Sequence, residues 1–526
     1  MPESPDHLAE RLQEQIQDLE IAFHEAYWES QIEASDVNER RRSELELELR
    51  RVKGDPANLA AVEDALASDI HNPTVHRMLT VLRLSLTGNR MDEDRRAEIV
   101  AISSAVESEF ANFRPSIDGQ RVNDNEIEFV LRRSDDQDVR RAAWEASKEV
   151  GSLVADRVRE LARLRNQAAL DLGRPDHYRF ALELQEMDEQ WLFDQLDEIE
   201  RLTEAPFLRW KEGLDAQLSK RFGAAELYPW HYADPFFQQL PPDGRVSLDD
   251  KFAGADVADL ARRTFDAWGI DLSSVMERSD LYPRDGKCQH AFCLDVDRTA
   301  KNVRILANIV PGEHWTEVML HESGHAAYDV SIDPGLPYVL RRATHTFTTE
   351  AMAILSGRLV RDPTWLSEVR GLASKEIGEI SDELARANGA QMLLFARWAL
   401  VMAHFERTMY ADPEADLNAI WWELVERFQH LRRPPGRDAP DWAAKIHIAV
   451  APVYYHNYLL GEILASQLEE TARSQHGGLV GNREAGALLV DRIFRPGALL
   501  RWDSLVEEAT GGQLNPEPFV ATTVAI

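Results

Sequence analysis

Apolar residues recur at three- and four-residue steps over most of the chain, the period that lays them along one face of a helix. Leu8, Leu12, Ile16, Leu19 and Phe23 follow it with charges between them, so the chain opens on an amphipathic helix. The polar interval from Arg40 to Pro56 carries no such stripe, and helical patterns resume from there to about Phe129. Arg132 to Arg141 reads as a turn followed by a helix start. Arg140 to Leu172 is helical again and stops at the breakers Gly173-Arg174-Pro175; another long helix covers roughly Asp188 to Phe222.

The period changes beyond a loop-rich stretch from Tyr228 to Gly254, which contains the turn signal Pro241-Pro242-Asp243-Gly244. The runs from Ala291 to Val296 and from Val303 to Ile309 flank a polar turn and read as a β-hairpin, closed by Pro311-Gly312. The remainder is mostly helical, with breaks at Asp333-Pro334-Gly335, Arg432 to Pro440 and His476-Gly477-Gly478. These patterns predict a mainly α fold with one small sheet beside the helix that carries His321.

Composition narrows the function classes. The 526 residues are 44% hydrophobic and 29% charged, ordinary for a globular protein with a large core. Acidic residues outnumber basic ones 91 to 59, a net charge of -32 that repels phosphate backbones and anionic lipid. Nucleic acid and membrane surfaces are therefore not expected partners, and solubility is the simpler use of the charge. Two cysteines, Cys288 and Cys293, exclude a disulfide framework and a thiolate-rich metal site. The start MPESPDHLAERLQEQ lacks the basic opening and apolar core of a signal peptide, and a cytoplasmic protein is expected.

The most informative run is His321-Glu322-Ser323-Gly324-His325. On a helix, residues four apart share a face, so both imidazoles can reach one ion while Glu322 projects beside them as a general base. Two solvated histidines on a surface helix are the simpler reading. Val318, Met319, Leu320, Ala326 and Ala327 make this helix apolar, however, and unpartnered polar groups there would be costly. A catalytic zinc takes three protein ligands and leaves a position for water. Glu350, opening an apolar segment and sharing a face with Ile354 and Gly357, supplies the third, so one Zn2+ is expected on His321, His325 and Glu350. His314 and His345 are assigned to outer or surface positions. Gly324 and Ala326 leave room for another helix to approach closely.

A second cluster runs from Lys445 to Tyr458. Pro452 can begin a helix, after which Tyr454 and Tyr458 share a face and Tyr455 and Tyr458 are neighbours. Read alone, it is an amphipathic core element with its hydroxyls satisfied. Beside a metal motif it becomes a source of donors for a tetrahedral intermediate.

These residues resemble the angiotensin-converting-enzyme family of zinc peptidases and, more distantly, thimet oligopeptidase and its relatives. The resemblance rests on Cys288-Gln289-His290-Ala291-Phe292, the strand ending Arg304-Ile305, the His321–Tyr328 run, and Leu340-Arg341 leading to Glu350. It continues through Trp421-Trp422-Glu423-Leu424, Phe428-Gln429, Pro434-Pro435 and Lys445-Ile446-His447-Ile448, and covers roughly residues 140 to 520. It implies one helical domain in two lobes, an ellipsoid with a deep central cleft, its first 130 or so residues forming lid-like helices. It also implies a substrate strand beside His290 and Ala291, His447 with Tyr458 on the oxyanion, and Tyr455 as the competing tyrosine. Lys445 and Tyr454 match residues that hold a substrate's C-terminal carboxylate, so the implied activity is release of dipeptides from short peptides. An endo-acting oligopeptidase and a peptide-binding protein without catalysis are the alternatives, the latter disfavoured by the intact Glu322. Three departures stand out. Asn457 replaces an arginine tied to chloride activation, Ala307 replaces the cysteine that would pair with Cys288, and Ile354 replaces an acidic partner of the metal ligands.

Overall fold

The first helix, Pro5–Ile32, starts on Ser4, whose hydroxyl accepts from the His7 N–H while Pro5 occupies the opening turn. Its Leu8, Leu12 and Ile16 are fully buried against Leu79, Leu82 and Leu86 of the helix Pro73–Gly88, as the periodicity requires. The computed structural model describes residues 3–117, 119–241 and 247–524; beyond Pro241, the turn signal at Pro241-Pro242-Asp243-Gly244 lies outside them.

The interval from Arg40 to Pro56 departs from expectation, because Asp36–Lys53 is a helix. Only Leu49 on it is buried, so it has no apolar stripe to read. Its order comes instead from end effects and ion pairs. Ser35 caps it, Asp36 and Glu39 sit at the positive end, Arg50, Arg51 and Lys53 at the negative end, and Arg50 pairs with Glu46 at 2.6 Å. The long helices fall where the pattern put them, at Gln137–Asp171 and Glu189–Phe222. Helix accounts for 70% of the structure, which makes the fold mainly α. Among the described residues the sheets number two rather than one, each a two-stranded antiparallel ladder. The unexpected one, Ser116–Ile117 with Gln120–Arg121, is too short for an alternating pattern to register.

The chain divides into two units. One holds Met1–Arg90, Val246–Asp382 and Leu460–Phe519. Here the expected hairpin forms from Phe292–Asp297 and Asn302–Leu306, with Phe292 opposite Leu306. The first helix packs on it through Tyr27 and Trp28, whose rings lie 5.8 and 6.1 Å from that of Phe292. The helices Glu313–Ser331 and Thr346–Arg358 pack side by side in the same unit. They meet closely at Gly324, where a Cβ would fall 2.8 Å from both the Ala353 Cα and the Met352 carbonyl oxygen. A glycine is what allows these two backbones to meet.

The other unit holds Met91–Arg245, Glu383–Leu459 and Val520–Ile526. The helix Gln137–Asp171 runs through it and organises the loop after Tyr228 with a buried guanidinium. Arg140 Nε donates to the Trp230 carbonyl at 2.8 Å and Nη2 to that of Tyr232 at 2.9 Å. Asp234 then accepts the backbone N–H groups of Phe236, Gln238 and Gln239, fixing the chain that carries Gln238. Among the described residues no helix is long and apolar enough to cross a membrane.

Candidate metal centre

His321 and His325 stand one turn apart on the helix Glu313–Ser331, their ring centroids 5.0 Å from each other. Glu350 comes from the second turn of the helix Thr346–Arg358 and is brought alongside by the close contact at Gly324. The His321 Nε2 to Glu350 Oε2 distance is 3.9 Å, and one donor atom from each of the three residues lies within 4.8 Å of the others. Burial pushes His321 down to about 4, and burial with His321 nearby pushes His325 down to about 3, so both rings are neutral and offer a lone pair at pH 7. Two neutral imidazoles and a carboxylate form a donor set that fits a divalent metal ion. The His321 side chain remains 32% exposed against 10% for Glu350, so the site is open on the His321 side.

His325 Nδ1 lies 2.7 Å from Thr349 Oγ1. By accepting from the Nδ1–H, this hydroxyl would leave Nε2 for an ion, the outer-partner role that Ile354 cannot fill. Sequence reasoning missed Thr349, although its place immediately before Glu350 was visible. Gly461 was also missed: a Cβ there would sit 3.2 Å from that of Glu350, so its smallness leaves room for that side chain.

Glu322 is buried beside the ligands and accepts a hydrogen bond from the Cys293 backbone N–H of the hairpin. Burial and the charge of Glu350 raise its carboxyl to about 7, which favours a group that takes and returns a proton. His290 is exposed in the bend before the hairpin and Ala291 leads directly into its first strand, with Asn308 Nδ2 donating to the Cys288 and Gln289 carbonyls to hold the bend. Cys288 and Cys293 are both free thiols. His314 sits against Trp315, while His345 is the buried N-cap of the Glu350 helix, accepting from the Phe347 N–H at 3.1 Å. Neither joins the three donors.

In the other unit, Lys445, His447, Tyr454, Tyr455 and Tyr458 come together. The His447 and Tyr455 rings are 5.5 Å apart, and Tyr458 lies 5.1 Å from Tyr454 and 5.5 Å from Tyr455. Pro452 does not start the helix, which begins at His456, because Val453 adopts a positive φ of 54° and turns the chain first. Tyr455 is buried, and its hydroxyl accepts from Trp398 Nε1 at 2.8 Å. Tyr454 and Tyr458 are half-buried. Burial, with Lys445 adding to it, pushes His447 down to about 4, so it is a neutral donor. Lys445 Nζ donates to Gln238 Oε1 at 3.0 Å and lies over the rings of Trp398, Phe236 and Tyr455 at 5.3 to 5.7 Å. Burial lowers Lys445 to about 8. Gln238 had no signature in the sequence, since it reaches Lys445 across more than two hundred positions.

Residues 275–524 match the family model of peptidase family M3, and residues 3–203 match that of angiotensin-converting enzyme. The three donors, Glu322 and the Lys445–Tyr458 cluster all lie inside the first match. The second extends the likeness to the first helices, ahead of the segment on which the sequence resemblance rested. Both families are zinc metallopeptidases, and the chain is a metallopeptidase, a hydrolase of peptide bonds.

Proposed function

We propose that this metallopeptidase is a zinc-dependent dipeptidyl carboxypeptidase of short peptides. His321, His325 and Glu350 would hold the ion, which when bound supplies Lewis acidity toward the scissile carbonyl and toward water. The attacking water loses a proton to Glu322 as its oxygen bonds to the carbonyl carbon. Glu322 then delivers that proton to the amide nitrogen as the C–N bond breaks, releasing an amine and a carboxylic acid, whose remaining proton passes to the amine to leave an ammonium and a carboxylate. His447 and Tyr458 are the proposed donors to the oxyanion. Tyr458 is preferred to Tyr455 because the Tyr455 side chain is buried while Tyr458 is half-buried. A substrate strand would add to the hairpin near His290 and Ala291, whose ladder has two strands among the described residues. The two free thiols support a reducing, cytoplasmic setting.

The observation that carries the exopeptidase reading is the setting of Lys445. This half-buried cation bonds a neutral amide and faces three rings, with Asp234 acting on it through space and no carboxylate within 4.0 Å among the described residues. A substrate's terminal carboxylate is the anion that would complete it, with Gln238 and Tyr454 beside it. Peptides with free and amidated C-termini should separate sharply, the amidated ones being cleaved at least tenfold more slowly, as loss of a charge-assisted contact implies. Equal cleavage of both, at internal bonds, would instead identify an endo-acting oligopeptidase.

A further inference from the structure

We propose that Glu406 and Gln185 are positioning residues that clamp the turn at Val453 and so hold the tyrosine cluster in its reactive shape. The inference rests on the assignment of Tyr458 and His447 to the oxyanion. Val453 has φ of 54°, a conformation that a β-branched residue adopts only under constraint from its surroundings. The constraint is visible at both of its backbone groups. Its N–H donates to Glu406 Oε1 at 2.9 Å, and its carbonyl accepts from Gln185 Nε2 at 3.2 Å. Both residues of the clamp are remote in sequence from the turn.

Gln185 does more than hold one carbonyl. Its Oε1 accepts from Asn457 Nδ2 at 3.1 Å and lies 3.1 Å from His456 Nε2. One amide therefore ties the turn before Tyr454 to the first residues of the helix that carries Tyr458. Glu406 is 2% exposed, a position that a carboxyl does not occupy without a task. Its neighbour Arg165 extends the hold by donating to the Ala449 carbonyl at 2.7 Å, on the short helix that begins with His447. These contacts to Val453, His456, Asn457 and Ala449 all fall on residues flanking His447 or the tyrosines.

The test uses full-length, zinc-loaded protein. Glu406→Ala should lower kcat by roughly 10- to 100-fold, the scale on which small misplacement acts, with KM and zinc content close to wild type. Glu406→Gln keeps an acceptor oxygen and should remain near wild type. The decisive variant is Glu406→Ala combined with Val453→Gly: glycine adopts positive φ without strain, so the turn no longer needs the clamp and most of kcat should return. Amide exchange across 451–458 should rise in Glu406→Ala and fall back in the double variant. If Glu406→Ala does not fold, Gln185→Leu reads the clamp from the carbonyl side. Unchanged kcat and unchanged exchange in the single variants, or no recovery in the double variant, would overturn the proposal. Faster exchange with unchanged kcat would also overturn it; if Tyr458→Phe is then equally active, the fault lies in the oxyanion assignment rather than in the clamp.

Discussion

Thr349 holds one of the three donors by a single hydrogen bond, and it does so with a hydroxyl rather than a carboxylate. His325 Nδ1, 2.7 Å from Thr349 Oγ1, has an outer partner that leaves Nε2 open to an ion, without an added negative charge behind the ring. Thr349→Val, which keeps the shape and removes the hydroxyl, should weaken zinc binding by roughly 10- to 100-fold, as loss of such outer partners does. Competition with a chromogenic chelator measures this directly, and an unchanged affinity would remove Thr349 from the account. The residue scale also shows where sequence reading stops. His321, Glu322 and His325 announce themselves by spacing alone. Thr349, Gly461 and Gln238 do not, because their roles come from what the fold brings opposite them.

Helix contacts set how those residues meet. The approach at Gly324 leaves no room for a methyl group, since two backbone atoms of the facing helix lie 2.8 Å from the point a Cβ would occupy. Gly324→Ala should therefore cost about 1–3 kcal/mol of stability, the usual penalty for overpacking, and should weaken zinc binding as Glu350 moves away from the histidines. Denaturant unfolding and zinc titration read the two effects separately; a stable variant with native affinity would show that the helices can shift freely. Glu20 sets the chemistry of the first helix. Burial opposes its charge, but Arg298 and Lys53 overcome this and hold the carboxyl at about 2, below its ordinary 4.5. Its stabilising contribution is full above about pH 4.5 and is lost as pH falls toward 2. Amide exchange across Pro5–Ile32 should accelerate over that window in the wild type and less so in Glu20→Gln. Identical pH profiles would mean that these pairs do not secure the helix. The helix Asp36–Lys53 teaches the complementary lesson: with one buried residue, its order rests on caps and ion pairs that hydrophobic period does not report.

For the molecule as a whole, the helical fold, the hairpin beside the His321 helix and the grouping of His321, His325 and Glu350 were legible in the chain. Each depends on local period or fixed spacing: the His321–His325 helix, the strand pair at Phe292–Asp297 and Asn302–Leu306, and the apolar helix behind Glu350. The turn at Val453 was not, since a local reading of Pro452 favours a helix start, while the observed turn is held by Glu406 and Gln185 from distant segments. The central claim is that Glu322 is the base of a zinc-dependent peptide hydrolysis. Wild type and Glu322→Ala should be compared on one peptide mixture, with products identified by mass spectrometry and zinc measured in the same samples. Equal zinc is expected in both, with chelator-sensitive dipeptide release by the wild type and loss of at least about a thousandfold in turnover in the variant, at the scale of removing a general base that is also the proton donor. Undiminished hydrolysis by zinc-loaded Glu322→Ala would contradict the claim.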